Sequence, residues 1–286
     1  MIKQLVVGID GSDFAISASS YAEYFAEHTG CELKFVFVID SRKTELPIIY
    51  ATGHFDYAFA RTYIPPDSEL KSFYQKIKKD IISFAENCLG SCCSRCEEKN
   101  IPAVSIQREG LPSLILSEEV RSGDMLVIGQ KGENARFDRT IVGSTTEDIV
   151  RSSPRPILVC PKDFRAPEKL LFPYDGSITG ERALQFIVNI CDNFWKEFVI
   201  LLAGREVLDD TCLEKELRYL NKHDISYRIM SEKGSLVDSV LNVAKRENSD
   251  IILVGSHGTQ KIRDYLLGST TSHLIRKSHL PVLIVY

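Results

Sequence analysis

The 286-residue chain carries one pattern twice, and this duplication constrains its fold more than any other feature. KQLVVGIDGSDFAISAS (3–19) lines up with EKLLFPYDGSITGERAL (168–184), each an apolar run ending in Asp-Gly-Ser before a helical pattern. A second apolar run in each copy, DMLVIG (124–129) and DIILVG (250–255), opens a glycine block. The blocks read IGQKGENARFDRTIVGSTTEDIV (128–150) and VGSHGTQKIRDYLLGSTTSHLI (254–275). Both copies close on a serine and a Pro-led apolar run, SSPRPILVC (152–160) and SHLPVLIVY (278–286). Self-similarity over a fixed unit implies one fold built twice. The first copy spans 1–162 and the second 167–286, with DFRAPE (163–168) as the joint.

Each copy alternates strand-like and helix-like segments. In the second, strands are expected at 169–174, 197–203, 225–231, 250–255 and 281–286, with helices near 178–194, 210–223, 235–247 and 268–278. Alternation of this kind implies a parallel sheet covered by helices on both faces through right-handed crossovers. The strands are rich in Val, Ile and Leu, as strands buried on both faces should be. The expected fold is α/β: two tandem, five-stranded, doubly wound domains of strand order 3-2-1-4-5. The first copy also holds about forty extra residues, mostly in 41–70, where Tyr50, Phe55, Tyr57, Phe59 and Tyr63 crowd together. A loop this long is functional or disordered, and its aromatics argue against disorder. It reads either as a self-packed insertion or as a lid or partner surface.

Bulk properties exclude several classes. A net charge of −4 leaves no electrostatic footprint for nucleic acid or an anionic membrane. The apolar runs are strand-sized, short of the roughly 18 residues of a membrane span. Met1 leads almost directly into LVVGID, which reads as no signal peptide and as a cytoplasmic chain. Its eight cysteines are then expected to be mostly reduced.

The glycine blocks carry the chemistry. Glycine reaches positive φ and lets other groups approach the backbone closely. Two glycines after a strand can converge successive N–H groups on an anion, and a third at a helix start exposes N–H groups carrying partial positive charge. Ser269 and Thr270 add hydroxyls there. In a 3-2-1-4-5 sheet, ligands bind at the carboxyl ends of strands one and four. Asp175 ends strand one of the second copy and its glycine loop leaves strand four. A carboxylate there suits the hydrogen bonds of a ribose or base, so the expected ligand is a nucleotide. The blander reading is that Ser and Thr merely cap a helix and that short motifs match by chance. Two blocks, each paired with an Asp-Gly-Ser strand end, weigh against it. There is no G-x-x-x-x-G-K-[ST], no G-x-G-x-x-G after the first strand, and no G-x-S-x-G elbow. His257 has no neighbour in sequence with which to form a catalytic pair, and no catalytic residue is assigned.

G-x2-G-x9-G-[ST], the strand-end Asp and the Pro-led last strand together resemble the universal stress protein family, and two copies resemble its tandem members. The resemblance covers nearly the whole chain outside 41–70. It implies an ATP-binding or AMP-binding α/β fold, with or without Mg2+, that dimerises through its last strands. In a tandem chain, 156–160 and 281–286 would then meet across a pseudo-twofold axis. By position, Asp175 would contact the adenosine, while Gly255, Gly258, Gly268 and Ser269 would hold the phosphates with Thr270 close by. The first copy's matches are Asp10, Gly129, Gly132, Gly143 and Ser144. A backbone contact to adenine would fall near Val38 in the first copy and Ala203 in the second. The first copy departs from the pattern: ten residues separate Gly132 from Gly143, and its loop carries Glu133 and Asp138. Nearby carboxylates repel phosphate, so the second copy is expected to hold the better site.

Cys88, Cys92, Cys93 and Cys96 cluster in ENCLGSCCSRCEEK (86–99). The spacing could suggest a metal or iron–sulfur site. Yet Phe73, Ile77, Ile81, Phe84, Cys88, Cys92 and Cys96 form one helical stripe, which favours core packing, with Gly90 expected to interrupt the helix. The functional reading is a nucleotide-binding stress-response protein that senses or signals through shape. The alternatives are a scaffold acting through 41–70, alone or as a homo-oligomer, and a slow ATP hydrolase or self-phosphorylating protein in which Asp264 or Asp175 serves.

Overall fold

The computed structural model describes residues 2–42, 67–132, 143–190, 197–204, 213–256 and 269–286. Most of the 41–70 insertion therefore lies outside the described residues, although its last four residues begin a helix. The first half contributes β1 (Gln4–Ile9), α1 (Asp13–Thr29), β2 (Glu32–Asp40), α2 (Asp67–Glu98), β3 (Ala103–Gly110), α3 (Pro112–Glu119), β4 (Met125–Gly129), α4 (Ser144–Ser152) and β5 (Ile157–Cys160). The second contributes β6 (Lys169–Tyr174), α5 (Ile178–Ile190), β7 (Glu197–Gly204), α6 (Glu214–Lys222), β8 (Tyr227–Lys233), α7 (Leu236–Arg246), β9 (Ile251–Gly255), α8 (Ser269–Lys277) and β10 (Val282–Val285).

All ten strands form one sheet of order β3-β2-β1-β4-β5-β10-β9-β6-β7-β8. Read outward from the centre, each half has the expected 3-2-1-4-5 order, with parallel pairing throughout. The halves join where β5 and β10 pair antiparallel, with Ile157, Leu158 and Val159 opposite Ile284, Leu283 and Val282. Leu158 and Leu283 are the same position of the two copies, so the pseudo-twofold axis passes between them. Among the described residues, three side chains cross this seam. The Gln130 amide donates to Ile275 O and to Ser278 O, Arg276 Nη2 lies 2.5 Å from Glu147 Oε1, and the Tyr286 hydroxyl donates to Val150 O.

Strand alternation divides the core into two layers. Leu5, Val7 and Ile9 of β1 face α1 and α2 in a core that continues into α5 and α6. Val6 faces the opposite layer, which α3, α4, α7 and α8 cover. α1 starts where Ser12 Oγ accepts the Ala15 N–H at 3.2 Å and stops at Gly30 in the left-handed region, whose N–H donates to Ala26 O at 2.8 Å. Both are ordinary helix caps.

α2 corrects two expectations. It runs without interruption through Gly90, which is solvent-exposed. Mid-helix glycine costs only about 1 kcal/mol, and tertiary contacts on either side offset that. Buried Ala85, Leu89, Cys92 and Cys96 seat the helix on the sheet. Buried Glu23 of α1 then ties it laterally, with Arg95 Nε at 3.0 Å and Lys99 Nζ at 3.1 Å. Phe84 is the second correction: the stripe places it in the core, whereas it is 47% exposed and Ala85 takes the buried position. Cys92 and Cys96 are core residues as expected; Cys88 and Cys93 are partly buried, and all four are free thiols.

Candidate functional site

The two Asp-Gly-Ser turns are built identically. Asp10 Oδ1 accepts the Ser12 N–H at 2.9 Å and Asp175 Oδ1 accepts the Ser177 N–H at 3.0 Å. Such a two-residue loop needs a left-handed central residue, and Gly11 (φ 78°) and Gly176 (φ 72°) supply it. Each serine then caps the next helix, Ser12 Oγ by accepting from Ala15 and Ser177 Oγ from the Gly180 N–H at 3.1 Å. The turn thus holds a carboxylate at the carboxyl end of the first strand with one oxygen bonded and its direction set.

Sheet register brings the neighbouring strand ends level with that carboxylate. Ile9 is opposite Phe37 and Tyr174 opposite Leu202, so Val38 and Ala203 lie beside Asp10 and Asp175. On the other side, β4 and β9 deliver Gly129 and Gly255. In the first half the loop and the carboxylate meet directly: a Cβ on Gly132 would stand 2.8 Å from Asp10 Oδ2. Gly143 returns to the same place, 3.5 Å from Gly132 N measured from its own would-be Cβ, and its N–H donates to Gln130 O at 3.3 Å. Gly143 is the N-cap of α4, and Ser144 is exposed at the first position of that helix. Asp10, Val38, Gly129, Gly132, Gly143 and Ser144 therefore gather at the carboxyl ends of β1, β2 and β4 and the start of α4.

In the second half, Asp175, Ala203 and Gly255 take the equivalent places, and α8 begins at Ser269 with Thr270 partly buried behind it. Gly258, Gly268, His257 and Asp264 lie outside the described residues, as do Glu133 and Asp138 of the first half.

The loop glycines work differently from the expectation of positive φ. Among those described, Gly129, Gly132, Gly143 and Gly255 all avoid that region. They are glycine because other atoms need the space. A Cβ on Gly129 would stand 2.7 Å from Phe14 Cβ, and one on Gly255 would stand 2.8 Å from the backbone carbon of Thr179. The β4 and β9 ends thus press against the first turns of α1 and α5. The sequence reading also passed over the second threonine of each Ser-Thr-Thr. Thr146 is buried and its hydroxyl donates to Gly129 O at 3.1 Å, and Thr271 is buried at the equivalent position. The signal was the repetition of the whole tripeptide, which a capping serine alone does not require.

Each half has its own packing beside the turn. In the first, the Phe84 ring and Cys88 Sγ cover Gly11, the latter 3.3 Å from a would-be Cβ. Burial first, and then the Asp10 carboxylate, push the Cys88 thiol up. In the second, Tyr174 donates to buried Glu216 Oε1 at 2.7 Å one residue before Asp175. Burial, then this carboxylate, push the tyrosine hydroxyl up. Among the described residues, no group of three or more His, Cys, Asp or Glu side chains is placed to hold a metal, and no helix is long and apolar enough to cross a membrane.

Comparison with known proteins agrees with this architecture. The model of the universal stress protein family matches residues 1–161 and 201–286. A universal stress protein of Synechocystis is 26% identical over 291 aligned positions, covering 99% of both chains. A universal stress protein of Methanocaldococcus jannaschii is 44% identical over 152 positions, covering 41% of this chain and 94% of the relative. Among solved structures, a universal stress protein from Archaeoglobus fulgidus covers 99% of this chain and 95% of its own, with 19% identity and a TM-score of 0.68. That likeness is one of fold, and it spans both halves together. With both copies matched, the chain belongs to the universal stress protein family.

Proposed function

We propose that the protein binds an adenine nucleotide, ATP or AMP, and acts in the cytoplasm as a nucleotide-responsive stress protein. The units are 1–162 and 167–286, and the second holds the principal site through Asp175, Ala203, Gly255, Gly258, Gly268, Ser269 and Thr270. The observation that carries the reading is the approach of Gly132 to Asp10, where a Cβ would fall 2.8 Å from the carboxylate. A backbone that close to a strand-end acid, with a helix start beside it, offers N–H donors to phosphate and a carboxylate to ribose hydroxyls at either end of one crevice. In such a site Mg2+ enters with the phosphates, which supply most of its ligands. The ten-residue spacing of the first copy and its loop acids, Glu133 and Asp138, support assigning the second as principal. Asp10, Val38, Gly129, Gly132, Gly143 and Ser144 then form a weaker site. Occupancy bridges the loops of two strands, so it favours one arrangement of α4 and α8 and of whatever protein partner reads them.

Titration calorimetry with ATP and with AMP tests this. The expected result is saturable binding that Asp175→Ala weakens at least tenfold and Asp10→Ala changes little. Equal loss in both variants would place the principal site elsewhere. No heat with either nucleotide would leave the glycines as packing residues and favour a scaffold role. ADP appearing on incubation with ATP would add slow hydrolysis.

A further inference from the structure

The duplication places two equivalent clefts on either side of the seam, and the described residues fill only one. On the filled side, linker residues Phe164 and Arg165 lie against α1 and β9. The Phe164 ring packs edge-on against Tyr21 with centroids 4.8 Å apart, and the Arg165 N–H donates to the Tyr21 hydroxyl at 3.2 Å. Arg165 Nε reaches Asp250 Oδ1 at 3.1 Å. The other oxygen of Asp250 is committed, accepting the backbone N–H groups of Glu168 and Lys169 at 3.1 and 3.0 Å.

On the opposite side the same framework recurs. Asp124 Oδ2 accepts the N–H groups of Lys3 and Gln4 at 2.7 and 3.1 Å, as Asp250 Oδ2 does for Glu168 and Lys169. Both hydrogen bonds to the Asp124 carboxylate fall on Oδ2. Phe186 of α5 stands where α1 has Tyr21, by the alignment of 168–184 with 3–19 carried along both helices. Between them lies an open cleft of about 430 Å³, which Asp124, Arg155, Arg182, Phe186, Asn189 and Tyr286 help to line.

From this we infer that the open cleft is a docking site for an extended segment of a partner protein that carries an acid, an aromatic and an arginine in succession. The filled cleft supplies the template, since the linker reads Asp163-Phe164-Arg165. An arginine of the segment pairs with Asp124 Oδ1 as Arg165 pairs with Asp250, and the aromatic ring packs on Phe186 as Phe164 packs on Tyr21. The preceding acid is offered Arg155 and Arg182, neither of which has a counterpart cation in the filled cleft, where Leu280 and Ser17 stand. The volume suits such a segment, being within the roughly 300–1,000 Å³ of ordinary ligand clefts. The inference does not rest on nucleotide binding, although the cleft adjoins the second half's glycine loop, since its lining residue Val285 lies opposite Gly255.

The test uses the full chain and a fluorescently labelled peptide of residues 162–168, Lys-Asp-Phe-Arg-Ala-Pro-Glu. Anisotropy is expected to rise saturably. A peptide with Phe164→Ala should bind at least tenfold more weakly, and one with Arg165→Ala should lose both affinity and salt dependence. In the protein, Asp124→Asn keeps an acceptor for Lys3 and Gln4 yet removes the charge, so it should weaken only peptides that retain Arg165. Because the peptide changes leave the protein intact, a misfolded variant cannot decide the result. No saturation at millimolar peptide, or equal binding of all three peptides, would overturn the inference. So would light scattering that shows dimers which exclude the peptide, since a second copy would then cover the cleft.

Discussion

Three alanine substitutions in one motif should give two different outcomes. A Cβ at Gly129 would stand 2.7 Å from Phe14 Cβ and 2.9 Å from its backbone carbon, and one at Gly255 would meet the Thr179 backbone at 2.8 Å. Carbon contacts are optimal at about 3.5–4.0 Å, so either the strand end or the first helical turn must move by roughly 0.7 Å. Backbone gives reluctantly, and overpacking of this kind costs about 1–3 kcal/mol. Against that, Gly→Ala gains about 0.4–1 kcal/mol through the unfolded chain. The net is about 1.3 kcal/mol for Gly129→Ala and for Gly255→Ala. At Gly132 the obstacle is only Asp10 Oδ2, the end of a side chain that can rotate. An off-rotamer displacement costs about 0.5–1.5 kcal/mol, which the same entropic gain nearly cancels. Differential scanning calorimetry should therefore show Gly129→Ala and Gly255→Ala melting roughly 3–5 °C lower, with Gly132→Ala near the parent. If Gly132→Ala falls as far as the others, or if none falls, the packing role assigned to these glycines is wrong.

Further consequences concern the seam, a buried acid and the thiols. Leu283→Ala empties a fully buried position on the pseudo-twofold axis and should cost about 2–5 kcal/mol in urea unfolding. Tyr174→Phe strips Glu216 of its hydroxyl donor and should destabilise by about 1–3 kcal/mol in the same assay, with Glu216→Leu recovering part of the loss. Cys96 is a buried thiol, pushed up by burial, then by Glu23 and Cys93, to about 12 from its ordinary 9.0. Between those values the unfolded chain releases this proton and the folded chain keeps it, so stability is complete below pH 9 and declines as pH rises towards 12. Melting curves across that window should show the decline, shallower in Cys96→Ala.

Much of this architecture was legible because it depends on local pattern repeated twice. Strands buried on both faces read as apolar runs, and β6 occupies the expected 169–174. β8 slid to 227–233 from the expected 225–231 because its charged end, half-buried Glu232 and exposed Lys233, extends the pairing with β7. The roles of the glycines were harder to read, since they depend on which atoms approach from elsewhere. Gly11 and Gly176, inside Asp-Gly-Ser, take left-handed positions, whereas Gly129 and Gly255 make room for helices that begin over a hundred or nearly eighty residues earlier. Gly90 and Phe84 were misread for the same reason: contacts with α1 and the sheet, not helical periodicity, set the face of α2. The open cleft was invisible to sequence, because it is defined by what the linker does on the opposite side.

The central claim, a nucleotide held at the paired strand end and glycine loop, is tested most directly by weighing the intact protein as purified. Native mass spectrometry, with chromatography of the released ligand, should find an adenine nucleotide bound to the parent chain and none bound to the Gly268→Asp variant. A parent chain of bare polypeptide mass that stays bare after ATP is added would contradict it.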